Sequence, residues 1–108
     1  MKYKAIIKRP DEDYGHVCHI STSLANLQKT VGGHIEVIPA VKDAVIICNE
    51  EGKLLNLPPN MWYYHDMLCG TIIVIGSKGE DFADCPISFD IWKKFVDSQA
   101  QFGGGRYV

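Results

Sequence analysis

The 108-residue sequence lacks the short motifs that identify most enzymes. Its four cysteines form no C-x-x-C pair, which excludes a zinc knuckle and a thioredoxin-type motif. It has no nucleophile elbow, no phosphate loop and no dinucleotide-binding glycine pattern. Its longest apolar run, residues 71–76, is too short to span a bilayer. These absences favour a protein without enzymatic activity, cofactor, bound metal or membrane partner.

Positive charge is also scarce. The chain carries 11 Lys and Arg residues against 13 Asp and Glu residues, a formal net charge of −2. Neutralising the phosphates of duplex DNA needs a net basic surface, so duplex DNA is excluded as the main partner. The hydrophobic share of 46% is typical of a folded globular domain.

The N-terminus has no apolar signal segment, since it begins Met-Lys-Tyr-Lys. Cys48 and Cys69 lie beside apolar runs, where a free cysteine behaves as a small buried hydrophobe. We therefore predict that all four cysteines are reduced and that the protein is cytoplasmic.

Hydrophobic periodicity predicts five strands and two helices. The first helix follows the N-cap candidates at 21–23 and stops at Gly32. The second begins at Ser88, and its apolar residues are expected to share one buried stripe, formed by Ile91, Trp92, Phe95, Val96 and Phe102. The predicted strands are residues 2–9, 14–20, 34–38, 44–48 and 69–75. Strands and helices do not alternate regularly, so we predict an α+β domain over residues 1–102, with helices packed on a mostly antiparallel sheet. Residues 103–108 are expected to form a flexible glycine-rich tail.

A rigid aromatic segment is the most informative feature. Pro58 and Pro59 fix an extended backbone and remove two donors, so we expect this stretch to lie outside any sheet or helix. Trp62, Tyr63 and Tyr64 follow. Neighbours on an extended chain alternate faces, so at least one ring points outward and can stack on a flat ligand. The alternative is that these rings cover the open end of the sheet.

Polar candidates flank this segment. Glu50 and Glu51, in the turn at 49–53, are either an acid–base pair or a solvated charged turn, and the second is favoured. Arg9 is the best phosphate ligand near the N-terminus, because a guanidinium can form two bonds to a phosphate. The predicted ligand-binding residues are Arg9, Asn49, Glu50, Lys53, Asn60, Trp62, Tyr63 and Tyr64.

Five sequence segments together resemble a known family. They are LQKTVGGHIEV (27–37), IICNEEGKL (46–54), LPPN (57–60), GTIIVIG (70–76) and EDF (80–82). Their order and spacing resemble the domain-of-unknown-function family numbered 3846, over roughly residues 20 to 85. The resemblance places the lysine-rich first strand, the aromatic run and the terminal helix beyond the common core, and His34 where the family usually has an aromatic. It implies no catalytic residue, because no activity is established for the family.

The resemblance also implies a biological setting, because members occur in phages, prophages and other mobile elements of bacteria. Some small phage proteins sequester nucleotide immune signals such as cyclic ADP-ribose isomers or cyclic oligonucleotides. We therefore predict a non-enzymatic accessory protein that sequesters a small anionic nucleotide in the bacterial cytoplasm.

In this hypothesis the aromatic rings stack on the base, and Arg9 or Lys53 meets phosphate. The polar edges of the base or the ribose hydroxyls are expected to form hydrogen bonds with Asn49, Glu50 and Asn60. The alternatives are an inhibitor that binds a host enzyme through the same loop, and a small nucleotide-acting hydrolase or transferase. An extended sheet edge and an exposed aromatic loop also favour a homodimer or higher homo-oligomer.

Overall fold

The computed structural model describes residues 1–104, the last two by their backbone alone. These residues form two helices and a mostly antiparallel arrangement of strands, which confirms the predicted α+β class. The helices are α1 (Leu24–Val31) and α2 (Phe89–Gly104). The strands are β1 (Lys2–Lys8), β2 (His16–Ser21), β3 (Ile35–Pro39), β4 (Ala44–Asn49), β5 (Pro59–Tyr63), β6 (Asp66–Cys69), β7 (Ile72–Lys78) and β8 (Asp81–Ala83).

The main sheet has the strand order β2-β1-β7-β4-β3, with every neighbouring pair antiparallel. Strand β8 pairs with the C-terminal end of β7. All six residues of β4 are buried, as the continuous apolar run at 45–47 predicts for a central strand. Strands β5 and β6 form a separate two-stranded hairpin.

The sheet is covered on both faces. Helix α1 packs on one face, where Leu27 and Val31 join a cluster of buried side chains from the sheet. Helix α2 and the β5–β6 hairpin cover the other face through Trp92, Met61 and Leu68. The Trp92 side chain is 1% exposed, and its indole nitrogen donates to the Tyr14 carbonyl at 2.8 Å. This hydrogen bond attaches α2 to the loop between β1 and β2.

Both predicted helix starts are confirmed. Ser23 accepts a hydrogen bond from the Asn26 backbone at 3.2 Å, and Ser88 accepts one from the Ile91 backbone at 3.2 Å. Gly32 ends α1 in the left-handed region with φ 84°, and its N–H donates to the Gln28 carbonyl at 2.8 Å. Neither helix is long and apolar enough, over the residues described, to cross a membrane.

The proline segment differs from its prediction. Pro59 is the first residue of β5, and the register with β6 shifts between Pro59 and Met61. A proline is tolerated there because the first residue of a strand beside a register shift need not donate to the ladder. The predicted strand at 69–75 is also divided, because Cys69 ends β6, Gly70 takes φ 85° and β7 begins at Ile72.

Helix α2 departs from the predicted pattern at two points. Ile91, expected on its buried stripe, is 54% exposed, while Trp92 carries the packing. The helix also includes Gly103 and Gly104, which the sequence assigns to the tail. The rest of the predicted tail, 105–108, lies outside the residues that the structure describes.

Candidate functional site

The predicted ligand-binding residues are divided between two clefts and one aromatic cluster. The first cleft, here called the acidic cleft, has a volume of about 120 Å³ and lies between the turn after β4 and strand β6. Asn49, Glu50 and Lys53 line it, together with three further carboxylates, those of Glu36, Glu51 and Asp66. The excess of negative charge makes this cleft a poor site for an anionic ligand.

Within the acidic cleft, the polar groups of Asn49 bind the chain itself. Its side chain is buried, and the amide nitrogen donates to the Val31 carbonyl at 3.2 Å. Its side-chain oxygen accepts from the Glu51 backbone N–H at 2.7 Å. Asn49 therefore links the C-terminal end of α1 to the turn after β4, which is a structural task.

Lys53 is committed to an ion pair in the same cleft. Its amine donates to Asp66, and this hydrogen bond raises the pKa of Lys53. The side chains of the pair are 63% and 56% exposed. Cys48 also lines the cleft, and burial raises the pKa of its thiol to about 11, so this cysteine is not a thiolate nucleophile at neutral pH.

Tyr63 and Tyr64 hold the hairpin against α2. The Tyr63 hydroxyl donates to the Pro39 carbonyl at 2.8 Å, and its ring centroid lies 6.0 Å from that of Phe95. Tyr64 has φ 55° in the turn of the hairpin, and its ring meets Phe102 edge to face at 5.5 Å. Both tyrosines therefore make contacts that fix the hairpin on α2.

The second cleft, here called the Lys8 cleft, lies between the end of β1, strand β5 and helix α2. Its volume is about 480 Å³. The polar lining consists of Lys8, Glu12, Asp13, Asn60 and Gln99, and the apolar lining consists of Pro10, Met61, Trp62, Met67, Val96 and Ala100. Two predicted ligand-binding residues, Asn60 and Trp62, meet in this cleft.

Lys8 and Asn60 are joined by reciprocal hydrogen bonds. Lys8 is 2% exposed, and its Nζ donates to Asn60 Oδ1 at 2.9 Å and to the Asn60 carbonyl at 3.4 Å. The Asn60 amide nitrogen donates to the carbonyls of Lys8 and Gly70, each at 2.8 Å. The amine is thus held by neutral oxygen atoms.

The charge on Lys8 is not neutralised by a direct ion pair. Among residues 1–102, no carboxylate oxygen lies within 4.0 Å of its amine. Burial lowers the pKa of Lys8, and the more distant carboxylates of Glu12, Asp13 and Asp11 oppose that shift in part. Lys8 is therefore a buried amine that faces a cleft with a neutral partner.

The β1–β2 loop brings Glu12 and Asp13 to the Lys8 cleft, whereas Arg9, a predicted phosphate ligand, is not part of the lining. Glu12 accepts hydrogen bonds from the Arg9 backbone N–H at 2.8 Å and from His16 Nδ1 at 3.1 Å, and it forms an ion pair with the Arg9 guanidinium at 3.6 Å. The Arg9 backbone hydrogen bond contributes most to the lowered pKa of Glu12. Gly15 lets the loop close, since a Cβ there would lie 2.3 Å from the Ile7 carbonyl oxygen at φ 87°.

Sequence reasoning missed Lys8 and Gln99 as residues of this cleft. Gln99 is 4% exposed, and its side-chain oxygen accepts from the Tyr64 backbone N–H. A signal for Lys8 was present, because Ile6 interrupts the otherwise polar face of β1. Residues two apart on a strand share a face, so a buried Ile6 indicates that Lys8 also points toward the core. No comparable signal marks Gln99.

The model of a family described as a domain of unknown function (DUF3846) matches residues 1–96. The protein belongs to the DUF3846 family. The DUF3846 match is longer than the resemblance at 20–85, and it includes the lysine-rich first strand, the aromatic run and the first half of α2. These parts therefore belong to the family pattern, whereas the second half of α2, with Gln99, lies beyond it.

The other comparisons add no relative, because no curated protein and no solved structure matches this DUF3846 chain. Nothing in residues 1–102 brings three His, Cys, Asp or Glu side chains into an arrangement that could hold a metal ion. The four cysteines are free, and two of them are buried. The Lys8 cleft is consequently the feature from which a function can be argued.

Proposed function

We propose that this DUF3846 protein binds a small nucleotide in the Lys8 cleft without converting it, and that it acts as a sequestering protein in the bacterial cytoplasm. The observation that carries the proposal is the buried Lys8 amine at the wall of a cleft of about 480 Å³, where its hydrogen-bond partner among the described residues is the neutral Asn60. That volume lies within the range of about 300–1,000 Å³ usual for small-molecule sites.

Each part of a nucleotide has a matching group in the cleft. The indole of Trp62 offers a flat surface for a base, and such stacking is worth about 1–3 kcal/mol. The Lys8 ammonium supplies the positive charge for a phosphate oxygen. The carboxylates of Glu12 and Asp13 can accept hydrogen bonds from ribose hydroxyls.

This assignment revises the expected roles. Lys8 replaces Arg9 and Lys53 as the cation, because Arg9 pairs with Glu12 and Lys53 pairs with Asp66. Glu50 and Asn49 leave the proposed site, because they line the acidic cleft. Glu12 and Asp13 repel additional negative charge, so the proposal favours a ligand with one or two phosphates over a triphosphate.

The test is a binding panel followed by analysis of the released ligand. Cyclic ADP-ribose isomers, cyclic oligonucleotides and mononucleotides are titrated calorimetrically, and the bound ligand is then released by denaturation. We expect at least one nucleotide to bind and to return unchanged. Binding to Trp62→Ala should weaken by about 1–3 kcal/mol, the worth of one stack.

The matched control is Lys53→Met in the acidic cleft, which should bind like the wild type. The absence of binding by every nucleotide, or unchanged affinity in Trp62→Ala, would contradict the proposal. Release of a cleaved or transferred product would instead establish a nucleotide-acting enzyme.

A further inference from the structure

We propose that the amine of Lys8 forms an imine with a small planar aldehyde that enters the Lys8 cleft. This inference uses the cleft of the proposed function but does not depend on a nucleotide being its occupant. It makes Lys8 a covalent capture site for a carbonyl compound, in addition to a phosphate ligand.

The position of Lys8 provides the geometry. Its Nζ lies 2.9 Å from Asn60 Oδ1, and the residue lines an open cleft although it is only 2% exposed. Carboxylates within 4.0 Å are absent among residues 1–102. A desolvated lysine without a direct anionic partner has a larger neutral fraction, and only the neutral amine carries the lone pair that attacks a carbonyl.

The elements packed around the amine act on its protonation in opposite directions. Strand β5 contributes Asn60 and helix α2 contributes Gln99, and both are neutral. The loop after β1 contributes the carboxylates of Asp11, Glu12 and Asp13, which oppose the loss of the proton. Burial has the largest influence on the pKa of Lys8, and because it outweighs the carboxylates the pKa is lowered.

The reaction balances without an oxidant or reductant. The Nζ lone pair forms a bond to the carbonyl carbon, and one proton moves from nitrogen to oxygen to give a neutral carbinolamine. A proton from solvent then adds to the hydroxyl group, the C–O bond breaks, and water leaves as the nitrogen lone pair forms the C=N bond. The product is a protonated imine that keeps one N–H, which can still donate to Asn60 Oδ1.

The cleft walls indicate the class of aldehyde. Trp62, Met61 and Met67 provide an apolar surface beside the amine. A carbonyl conjugated to an aromatic ring is planar and can lie against the indole. The charge of the protonated imine would be balanced by Glu12 and Asp13 at the same cleft.

The experiment labels the full-length protein with benzaldehyde and cyanoborohydride, at about pH 8 for a short time. The hydride reduces any imine to a stable secondary amine, and peptide mass spectrometry locates the benzyl group. Since the lowered pKa gives Lys8 a larger neutral fraction at this pH, we expect Lys8 to be labelled faster than each of the other eight lysines. Equal labelling of all lysines, or an unlabelled Lys8, would overturn the proposal.

Two variants complete the test. Lys8→Met should abolish the fast adduct, whereas Lys4→Arg, at a neighbouring lysine on the same face of β1, should leave it unchanged. If Lys8→Met does not fold, the peptide map of the wild type decides alone. Fast labelling of Lys8 in a protein that binds no nucleotide would refute the proposed function and support imine formation. Nucleotide binding together with slow labelling of Lys8 would support the proposed function and refute imine formation.

Discussion

The two clefts contain the same kinds of residue and differ in how these are paired. Each has a lysine, an asparagine and two or more carboxylates, and Met67 lines both. In the acidic cleft, Lys53 is largely exposed and forms an ion pair with Asp66. In the Lys8 cleft, the lysine is buried and bonds to Asn60. The pKa of Lys53 is raised and that of Lys8 is lowered, so the partner and the burial, rather than the residue type, determine what each amine can do.

The two asparagines repeat the contrast. Asn49 bonds to the backbone of α1 and of its own turn. Asn60 bonds to the backbone of β1, to Gly70 and to the Lys8 amine. The buried amide of Asn49 completes a turn. The half-buried amide of Asn60 is the principal hydrogen-bond partner of a buried cation, so its removal affects a charged group as well as the backbone.

The largest effect is therefore expected from Asn60→Ala. This change removes the acceptor for the Lys8 amine and leaves two carbonyls without their donor. Unsatisfied buried polar groups cost about 1–3 kcal/mol each, and more when charged, so we expect a loss of about 3 kcal/mol in the free energy of unfolding. Urea denaturation measures it.

A double variant identifies the origin of that loss. In the double variant Asn60→Ala with Lys8→Met, the Lys8 amine is absent, so no buried cation is left without its hydrogen-bond acceptor. The combined loss should fall short of the sum of the single losses by about 0.5–3 kcal/mol, the usual coupling of contacting residues. Additive losses would show that the Lys8–Asn60 bond is energetically unimportant, and the comparison between the clefts would fail.

A smaller effect is expected from Asn49→Ala in the acidic cleft. The substitution removes the donor to the Val31 carbonyl and the acceptor of the Glu51 N–H. Both lost partners are uncharged, so the expected destabilisation is about 1–2 kcal/mol. Denaturation by urea under the same conditions gives the comparison. A loss equal to or larger than that of Asn60→Ala would reverse the ranking of the two clefts.

The fold could largely be predicted because its signals are local. The alternation along β1, the Ser23 cap and the buried run in β4 each specify an element without long-range information. The β5–β6 hairpin was missed for a physical reason. Pro58 and Pro59 argue against a strand, and only the register shift beside Pro59 allows one.

The site was less predictable because it depends on distant contacts. Lys8 and Asn60 are 52 residues apart in sequence, and their contact arises only when the hairpin packs beside β1. Arg9 and Lys53 were singled out by residue type, yet each is paired with a carboxylate in the fold. Composition identifies charged side chains, whereas the topology decides which of them are available to a ligand.

The pH dependence of stability provides the next test of the comparison. The native pKa of Lys8 lies below its ordinary value of 10.5. Between those two values the unfolded chain holds a proton that the native protein has released, so raising the pH favours the native state. The wild type should therefore gain stability relative to Lys8→Met as the pH rises toward 10.5.

Urea denaturation of both proteins at about pH 7 and about pH 10 measures this difference, because titrations common to both cancel. The lysine of the acidic cleft should behave in the opposite way. The native pKa of Lys53 is raised, so the stabilisation from its ion pair is retained up to 10.5 and lost above it. A wild type that loses stability relative to Lys8→Met over this range would show that Lys8 has an anionic partner in solution.

The smallest effect is expected from Lys53→Met. Its pair with Asp66 is exposed on both sides, and such pairs contribute about 0–1 kcal/mol because water and salt screen them. We expect a loss within that range that vanishes at about 1 M salt, where the screening length is only about 3 Å. Lys8→Met should change stability by an amount that salt hardly alters, because burial protects the amine from screening. Similar salt dependence in the two variants would mean that Lys8 is solvated like Lys53, and the distinction between the clefts would then be one of shape alone.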